Sequence, residues 1–479
     1  MDNPYQRLVV VSNRLPIVVS QEDGDWQIKP GSGGLVTALA PVLHEQRGLW
    51  IGWPGCSDEA PLDELFSRFS REQQYQLHGV TLTTEEVEKY YLGFSNETLW
   101  PLFHDLLGHC HFNQENWLCY GTVNRRFAEA IAEVSTKDDF IWIHDYQLAL
   151  VGSHLRDLGI RQSLAFFLHI PFPSPDLLRR LPWKTELLRG LLDYDLIGFQ
   201  TLRDRRNFLN SVLTMVPETE VLSRHRYYTL LRYRDRTLKV GHFPISIDFA
   251  QFDAAARSPE VTDAAWYLHE HLGGRQLVLG IDRLDYTKGI PERFLAFERA
   301  LEKYPEMRKN LSLIQVVVPS RTDVAEYQQL KEELDGLAGR INGRFAEPGW
   351  MPLHYLYRSL DPVQLFAYYR TSEIALVTPL RDGMNLVAKE YCACSVERKG
   401  VLILSEFAGA ADQLGKGALL VNPYDIEGTA DAIFQAYSMP EEERLRRMTL
   451  LRAKVRRNNV HRWVGWFLAE THPHGEPHG

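Results

Sequence analysis

Short apolar runs recur along the chain, each ending in a polar or glycine-rich turn and each followed by an amphipathic stretch. The first set comprises Leu8-Val-Val-Val-Ser12, Leu49-Trp-Ile-Gly-Trp53, Phe140-Ile-Trp-Ile-His-Asp145, Ser163-Leu-Ala-Phe-Phe-Leu-His169, Leu196-Ile-Gly-Phe-Gln200 and Val240-Gly-His-Phe-Pro-Ile-Ser-Ile-Asp248. A second set begins at Gln276-Leu-Val-Leu-Gly-Ile281 and continues at Leu311 to Pro319, Ile374-Ala-Leu-Val377 and Val401-Leu-Ile-Leu404. Runs without polar alternation read as strands buried on both faces, the pattern of parallel sheets covered by helices. Between the sets, Phe249 to Leu272 is polar and helical. The pattern therefore predicts an α/β chain of two facing, doubly wound domains, residues 1–248 and 249–455. A final helix over 456–470, with Trp463, Trp466 and Phe467 on its apolar face, is expected to pack back on the first domain. The His- and Pro-rich stretch 471–479 reads as a frayed tail.

Composition narrows the classes of function. At 479 residues the chain is long enough for two large cores, and 44% hydrophobic with 24% charged residues is ordinary for a soluble protein. No apolar stretch approaches the length of a membrane span, and the N-terminus lacks a basic, then apolar, leader, so the sequence points to the cytoplasm. A net charge of −9 argues against a broad nucleic-acid surface and for a small substrate. Cys56, Cys110, Cys119, Cys392 and Cys394 are odd in number and lack metal-ligand spacing, so they read as reduced thiols, the last two in a core helix. The arginines and lysine from Arg444 to Arg457 recur at helical spacing and read as a solvated face.

Chemistry gathers at the strand ends. Arg14 follows the first strand, and Pro30-Gly-Ser-Gly-Gly34 opens an apolar helix whose free N–H groups suit an anion. Asp145 and His169 end two further strands, although His169 also fits a core position. Tyr91 and Trp100 offer aromatic faces for a sugar or for the core. Asp282-Arg-Leu-Asp-Tyr-Thr-Lys-Gly289 places Arg283 and Lys288 after the first strand of the second domain, where two cations suit a diphosphate unless Asp285 pairs with one of them. Arg321 follows the next strand and, with Arg14, could grip a second phosphate. Thr378-Pro-Leu-Arg-Asp-Gly-Met-Asn-Leu-Val-Ala-Lys-Glu390 reads as strand end, tight turn and helix start, with Asp382 and Glu390 as hydroxyl acceptors.

Across nearly its whole length the chain resembles the trehalose-6-phosphate synthases, retaining glycosyltransferases of the GT-B fold. The resemblance rests on Val11-Ser-Asn-Arg-Leu-Pro16, Gly31-Ser-Gly-Gly-Leu35, Trp50-Ile-Gly-Trp53, Trp142-Ile-His-Asp-Tyr146, Phe167-Leu-His-Ile-Pro-Phe-Pro173, the stretch 282–289 and the stretch 378–390. It implies two Rossmann-like domains with a cleft between them, and transfer of glucose from UDP-glucose to glucose 6-phosphate in trehalose biosynthesis and osmoprotection. On that resemblance Arg14, Trp53, Tyr91, Trp100 and Arg321 hold the acceptor, and Asp145 and His169 contact the sugars at the reaction centre. Gly33, Gly34, Arg283, Lys288, Asp382, Gly383, Met384, Asn385, Leu386, Val387 and Glu390 hold the donor, with Arg283 and Lys288 neutralising the leaving diphosphate. No cofactor or metal is expected, nor any nucleic-acid or membrane partner, and self-association is left open. Glucosylglycerol-phosphate synthase, with glycerol 3-phosphate as acceptor, and a sugar-nucleotide epimerase of the same architecture stay open as alternatives, as does the base of the donor.

Overall fold

The computed structural model describes residues 7–22, 25–31, 34–56, 61–320 and 325–471. The chain separates into two units, one comprising Met1–Ile245 and His461–Gly479, the other Ser246–Val460. These divisions fall a few residues from positions 248 and 455, where the sequence pattern changes.

The strands of the first unit are β1 (Arg7–Arg14), β2 (Ile17–Glu22), β3 (Asp25–Pro30), β4 (Leu49–Trp53), β5 (Gln76–Gly79), β6 (Asp139–His144), β7 (Leu164–Phe167), β8 (Leu196–Phe199), β9 (Thr219–Arg224), β10 (Tyr228–Tyr233) and β11 (Arg236–His242). The sheet runs β5-β4-β1-β6-β7-β8-β11-β10-β9, while β2 and β3 form a hairpin of their own. From β5 to β11 every pairing is parallel, and β10 joins β11 and β9 antiparallel. Parallel neighbours need long crossovers that lay helices on the sheet faces, which is why β4 and β6 are buried at every position. By contrast, β9 alternates half-buried and exposed residues, as expected of an antiparallel edge with one face in solvent.

The second unit contains β12 (Gln276–Arg283), β13 (Leu311–Val318), β14 (Leu353–Tyr357), β15 (Ile374–Val377), β16 (Val401–Ser405) and β17 (Leu419–Val421). They lie in the order β14-β13-β12-β15-β16-β17, all parallel. In each sheet the chain starts on an inner strand, works outward on one side and then crosses to the other. The reversal falls between β1 and β6 in the first unit and between β12 and β15 in the second. Loops leaving the carboxyl ends of strands at such a reversal diverge and leave a crevice for a ligand.

Apolar helices complete each core. Phe294, Phe297 and Leu301 of the helix Ile290–Lys303 are buried in one cluster with β12 and β13. In the first unit, Trp463 and Phe467 of the helix Val460–Ala469 lie against Trp142 of β6, with Phe467 stacked on Trp142 at 4.3 Å between ring centres. Trp463 donates its indole N–H to the carbonyl of Phe243 at 3.0 Å. Gly198 leaves room for Phe467, because a Cβ there would meet that ring at 2.7 Å. Cys392 and Cys394 are buried in the helix Leu386–Cys394.

The basic run near the C-terminus departs from the solvated face read from its spacing. Arg446 is exposed and pairs with Glu443, but Arg444 and Arg452 are buried. Arg444 caps the preceding helix by donating to the carbonyls of Ala436, Tyr437 and Met439. Arg452 bonds Asp253 and the carbonyls of Cys392 and Ala393. Helical spacing alone does not separate an arginine that seals a helix end from one in water.

Candidate active site

In each unit candidate residues gather at the chain reversal, Arg14 and Asp145 in the first and Arg283 and Lys288 in the second, whereas Gly34, a donor candidate, lies in the first unit. In the first unit Arg14 is the last residue of β1 and is paired in register with Trp53, the last residue of β4. Its guanidinium stacks over the Trp53 ring at 4.2 Å and passes across Gly55, where a side chain would collide with it. Arg14 remains exposed, so its charge is held in one place yet stays available to an anion. Tyr91 meets Trp53 edge-on at 6.1 Å.

Tyr91 belongs to an element the sequence pattern did not forecast, a π-helix over Val87–Leu99. Its polar side chains tie it to its own backbone and to neighbouring loops. Asn96 donates to the carbonyl of Tyr91 at 2.7 Å and accepts from the Tyr146 hydroxyl at 2.9 Å. Tyr90 donates to Asn13, beside Arg14, at 2.8 Å. Such helices are rare, and they occur frequently at functional sites. Trp100, which begins the next helical turn, is buried with its ring 5.7 Å from that of Tyr146.

Asp145 leaves β6 with φ of 76°, a conformation non-glycine residues seldom adopt. One carboxylate oxygen accepts the backbone N–H of Tyr146 and that of His169, both at 3.1 Å, so the ends of β6 and β7 are fastened together. His169 follows β7 with its ring beside Phe167, His144 and Trp463. Desolvation pushes its pKa down to about 3, and it drives the fully buried His144 well below the usual histidine value, with His169 as a second cause. Both rings are neutral at physiological pH.

In the second unit, β12 ends at Arg283, which is exposed and makes no side-chain hydrogen bond or ion pair among the described residues. Lys288 pairs with Asp382 at 2.7 Å and not with Asp285, whose carboxylate instead accepts from the backbone and hydroxyl of Thr287. Burial alone disfavours the Lys288 ammonium, but Asp382, helped by Asp285, raises its pKa above the ordinary lysine value. Gly289 takes φ of 61° and brings its backbone against the Thr378 carbonyl, leaving no space for a Cβ.

The loop after β15 is organised around Asp382. Besides Lys288, its carboxylate accepts from the Asn385 amide at 3.2 Å and the Met384 N–H at 3.3 Å. Asn385, at φ of 78°, caps the helix Leu386–Cys394 by accepting the N–H of Ala388 at 3.1 Å. The helix start therefore leaves the N–H groups of Leu386 and Val387 near Gly383 and Met384, with the positive end of the helix dipole directed at the turn. One turn along, Glu390 accepts from the Tyr369 hydroxyl at 2.7 Å, and burial raises its pKa. Gly34 begins the helix Gly34–Gln46 in the first unit. Gly33 and Arg321 lie outside the described residues.

Sequence reading missed the residue that joins these loops from beneath. Arg293, 1% exposed, donates to Asp282 of β12, to Gln315 of β13 at 2.8 Å, to Thr378 after β15 at 3.1 Å and to the Lys288 carbonyl at 3.3 Å. A charged residue amid the apolar positions of the helix Ile290–Lys303 was the available signal. Among the described residues no cluster of three or more His, Cys, Asp or Glu is placed to hold a metal ion, and no helix is long and apolar enough to cross a membrane.

Comparison with known proteins gives one family. The model of glycosyltransferase family 20 matches residues 6–472. The chain is 43% identical to the trehalose-6-phosphate synthase of Mycobacterium bovis, over 98% of this chain and 95% of that protein. It is 44% identical to the protein of that name from Mycolicibacterium smegmatis, over 98% and 93% of the two chains. Among solved structures, an alpha,alpha-trehalose-phosphate synthase (UDP-forming) from Burkholderia xenovorans in complex with glucose-6-phosphate superposes with a TM-score of 0.86 at 36% identity, covering 97% of this chain and 99% of that one. The E. coli protein bound with UDP-2-fluoro glucose superposes with a TM-score of 0.86 at 37% identity, covering 97% and 98%.

Proposed function

Because the chain belongs to glycosyltransferase family 20, we propose that it transfers glucose from UDP-glucose to glucose 6-phosphate with retention, forming trehalose 6-phosphate and UDP. The two doubly wound units are those of the GT-B fold. The observation that carries the reading is the placement of an exposed Arg283, unpaired among the described residues, beside the Lys288–Asp382 pair at the reversal between β12 and β15.

The second unit holds the donor. Arg283 and Lys288 take the diphosphate, and the start of the helix Leu386–Cys394 adds the N–H groups of Leu386 and Val387. Gly383 and Met384 let the turn approach the sugar, whose hydroxyls reach Asp382, and Glu390 accepts from the ribose. The first unit holds the acceptor, with Arg14, steadied by Trp53, on its phosphate, and with Tyr91 and Trp100 along its ring. Asp145 and His169 contact the sugars at the reaction centre.

As the glycosidic bond to UDP breaks, negative charge grows on the diphosphate and positive charge on the transferred sugar. Arg283 and Lys288 stabilise the first. The acceptor hydroxyl attacks on the face from which UDP departs, and the departing phosphate oxygen takes its proton, so retention needs no protein nucleophile. The side chains position and neutralise, which suffices without a metal ion. Both substrates are multiply charged and do not cross membranes unaided, which suits a cytoplasmic enzyme.

A matrix of UDP-, GDP- and ADP-glucose against glucose 6-phosphate and glycerol 3-phosphate tests the reading. Trehalose 6-phosphate from UDP-glucose and glucose 6-phosphate is expected to be the dominant product. Faster turnover with glycerol 3-phosphate would move the chain to the glucosylglycerol-phosphate branch, and UDP released without acceptor would point to an epimerase.

A further inference from the structure

His169 is held by a chain of hydrogen bonds in which only the first donor has a fixed role. The backbone N–H of Ile245 donates to Gln200 Oε1 at 2.9 Å. A backbone N–H cannot accept, so this bond fixes which end of the Gln200 amide is oxygen and leaves its NH2 facing His169 Nδ1, 3.4 Å away. Nδ1 must then carry the lone pair, and in the neutral ring the proton sits on Nε2. Nε2 stands 3.1 Å from His144 Nδ1 and donates to it, which places the His144 proton on its own Nε2. That atom is buried with no partner among the described residues, the loose end of the chain.

We propose that Gln200 is a positioning residue for glycosyl transfer, holding the His169 imidazole neutral in its Nε2–H tautomer. The proposal rests on the assignment of His169 to the reaction centre. Two consequences follow from the geometry. With both ring nitrogens engaged inside the protein, His169 neither gives nor takes a proton during transfer. A neutral ring also adds no positive charge beside a sugar whose transition state is itself cationic, as in glycoside chemistry generally. The ring cannot swing without breaking bonds on both sides, and its own backbone N–H holds the Asp145 carboxylate at 3.1 Å, so fixing the ring also steadies that carboxylate. The titratable groups facing His169 are His144 from β6 and Asp145 from the loop after it. Gln200 from the loop after β8, Phe167 from β7 and Trp463 from the last helix carry no charge.

Gln200→Glu is the discriminating variant, because it keeps an acceptor for Ile245 and the shape of the side chain while replacing the donor at Nδ1 with an acceptor. Histidine-selective 15N NMR, with the His169 signals identified by their loss in His169→Gln, reads the tautomer without substrate. The wild type should show the Nε2–H form at neutral pH, and Gln200→Glu should shift it to the Nδ1–H or doubly protonated form. In kinetics, Gln200→Glu should lower kcat roughly tenfold near neutral pH with both KM values changed less than about threefold. It should also acquire a fall in kcat toward acid that the wild type lacks. An Nδ1–H or charged His169 in the wild type overturns the proposal whatever the variant does. So does a Gln200→Glu enzyme with an unaltered tautomer and pH profile. If instead the wild type makes no trehalose 6-phosphate while its His169 signals are as expected, the substrate assignment fails and the histidine geometry stands.

Discussion

Lys288 and Asp382 are bonded to each other at 2.7 Å, although 94 positions separate them in the chain. Each is the other's counter-charge, and the pair ties the turn after β12 to the turn after β15. On the proposed donor assignment, a diphosphate would give Lys288 a second anion and free Asp382 for sugar hydroxyls, so the resting pair would keep both groups aimed at modest cost.

Arg283→Ala and Lys288→Ala should each lower turnover at saturating UDP-glucose by about a hundredfold, the loss of one donor to developing negative charge, or on the order of 3 kcal/mol. They should differ in stability. Arg283 is exposed and unpaired among the described residues, so its loss leaves the thermal midpoint unchanged, whereas Lys288→Ala lowers it by removing the ion-pair partner of Asp382. Near wild-type turnover in either variant would refute the diphosphate assignment.

Arg14→Ala should raise the KM for glucose 6-phosphate by about tenfold or more, because a charge-assisted phosphate contact is removed. UDP-glucose affinity, measured by calorimetry without acceptor, should not change. Arg321→Ala is expected to behave the same way. A matching loss of donor affinity would show that these arginines do not serve the acceptor phosphate.

Arg293→Met should destabilise the second unit by about 3–5 kcal/mol in urea unfolding, since it removes the ion-pair partner of the buried Asp282. A loss below about 1 kcal/mol would mean that Gln315 and water replace the arginine at little cost.

Acid should unfold the first unit readily. His144 and His169 stay neutral in the folded chain, held below the ordinary value of 6.5 by burial, His169 at about 3. The unfolded chain takes up protons below about pH 6.5 where the folded one does not. The stability they contribute is therefore complete above that pH and drains away below it, for His169 until about pH 3, by up to about 1.4 kcal/mol per pH unit. Urea titrations at stepped pH should show this slope, and it should lessen in His144→Gln.

Activity should persist in EDTA, because Arg283 and Lys288 supply the charge neutralisation that a divalent ion provides elsewhere. Loss of activity in EDTA, restored by a divalent ion, would show that the cations do not suffice.

What the sequence made legible follows from what parallel sheets impose. Strands buried on both faces leave unbroken apolar runs, so β1, β6, β12 and β15 could be read directly, and the residues ending them were marked as facing a ligand. Strands with a wet face or mixed burial, such as β9 and β14, left no such run. The π-helix over Val87–Leu99 was hidden because no side-chain spacing announces a five-residue bond. Long-range polar links were equally hidden, since the His144–His169–Gln200 chain joins ends of three strands and the partner of Lys288 proved to be Asp382 and not the neighbouring Asp285.

The return of the last helix to the first unit bears on how the protein is born. Synthesis runs from the N-terminus, yet the groove formed by Trp142, Phe167 and Phe243 is filled by Trp463 and Phe467, which emerge only after the whole second unit. While the ribosome is still translating, the first unit must wait with several large aromatic surfaces, each on the order of 150–250 Å², open to chaperones or to other nascent chains. The second unit, continuous in sequence, can fold in the interval. The half that begins first finishes last, and a chain cut short before His461 leaves the Trp142 face of the first unit uncovered.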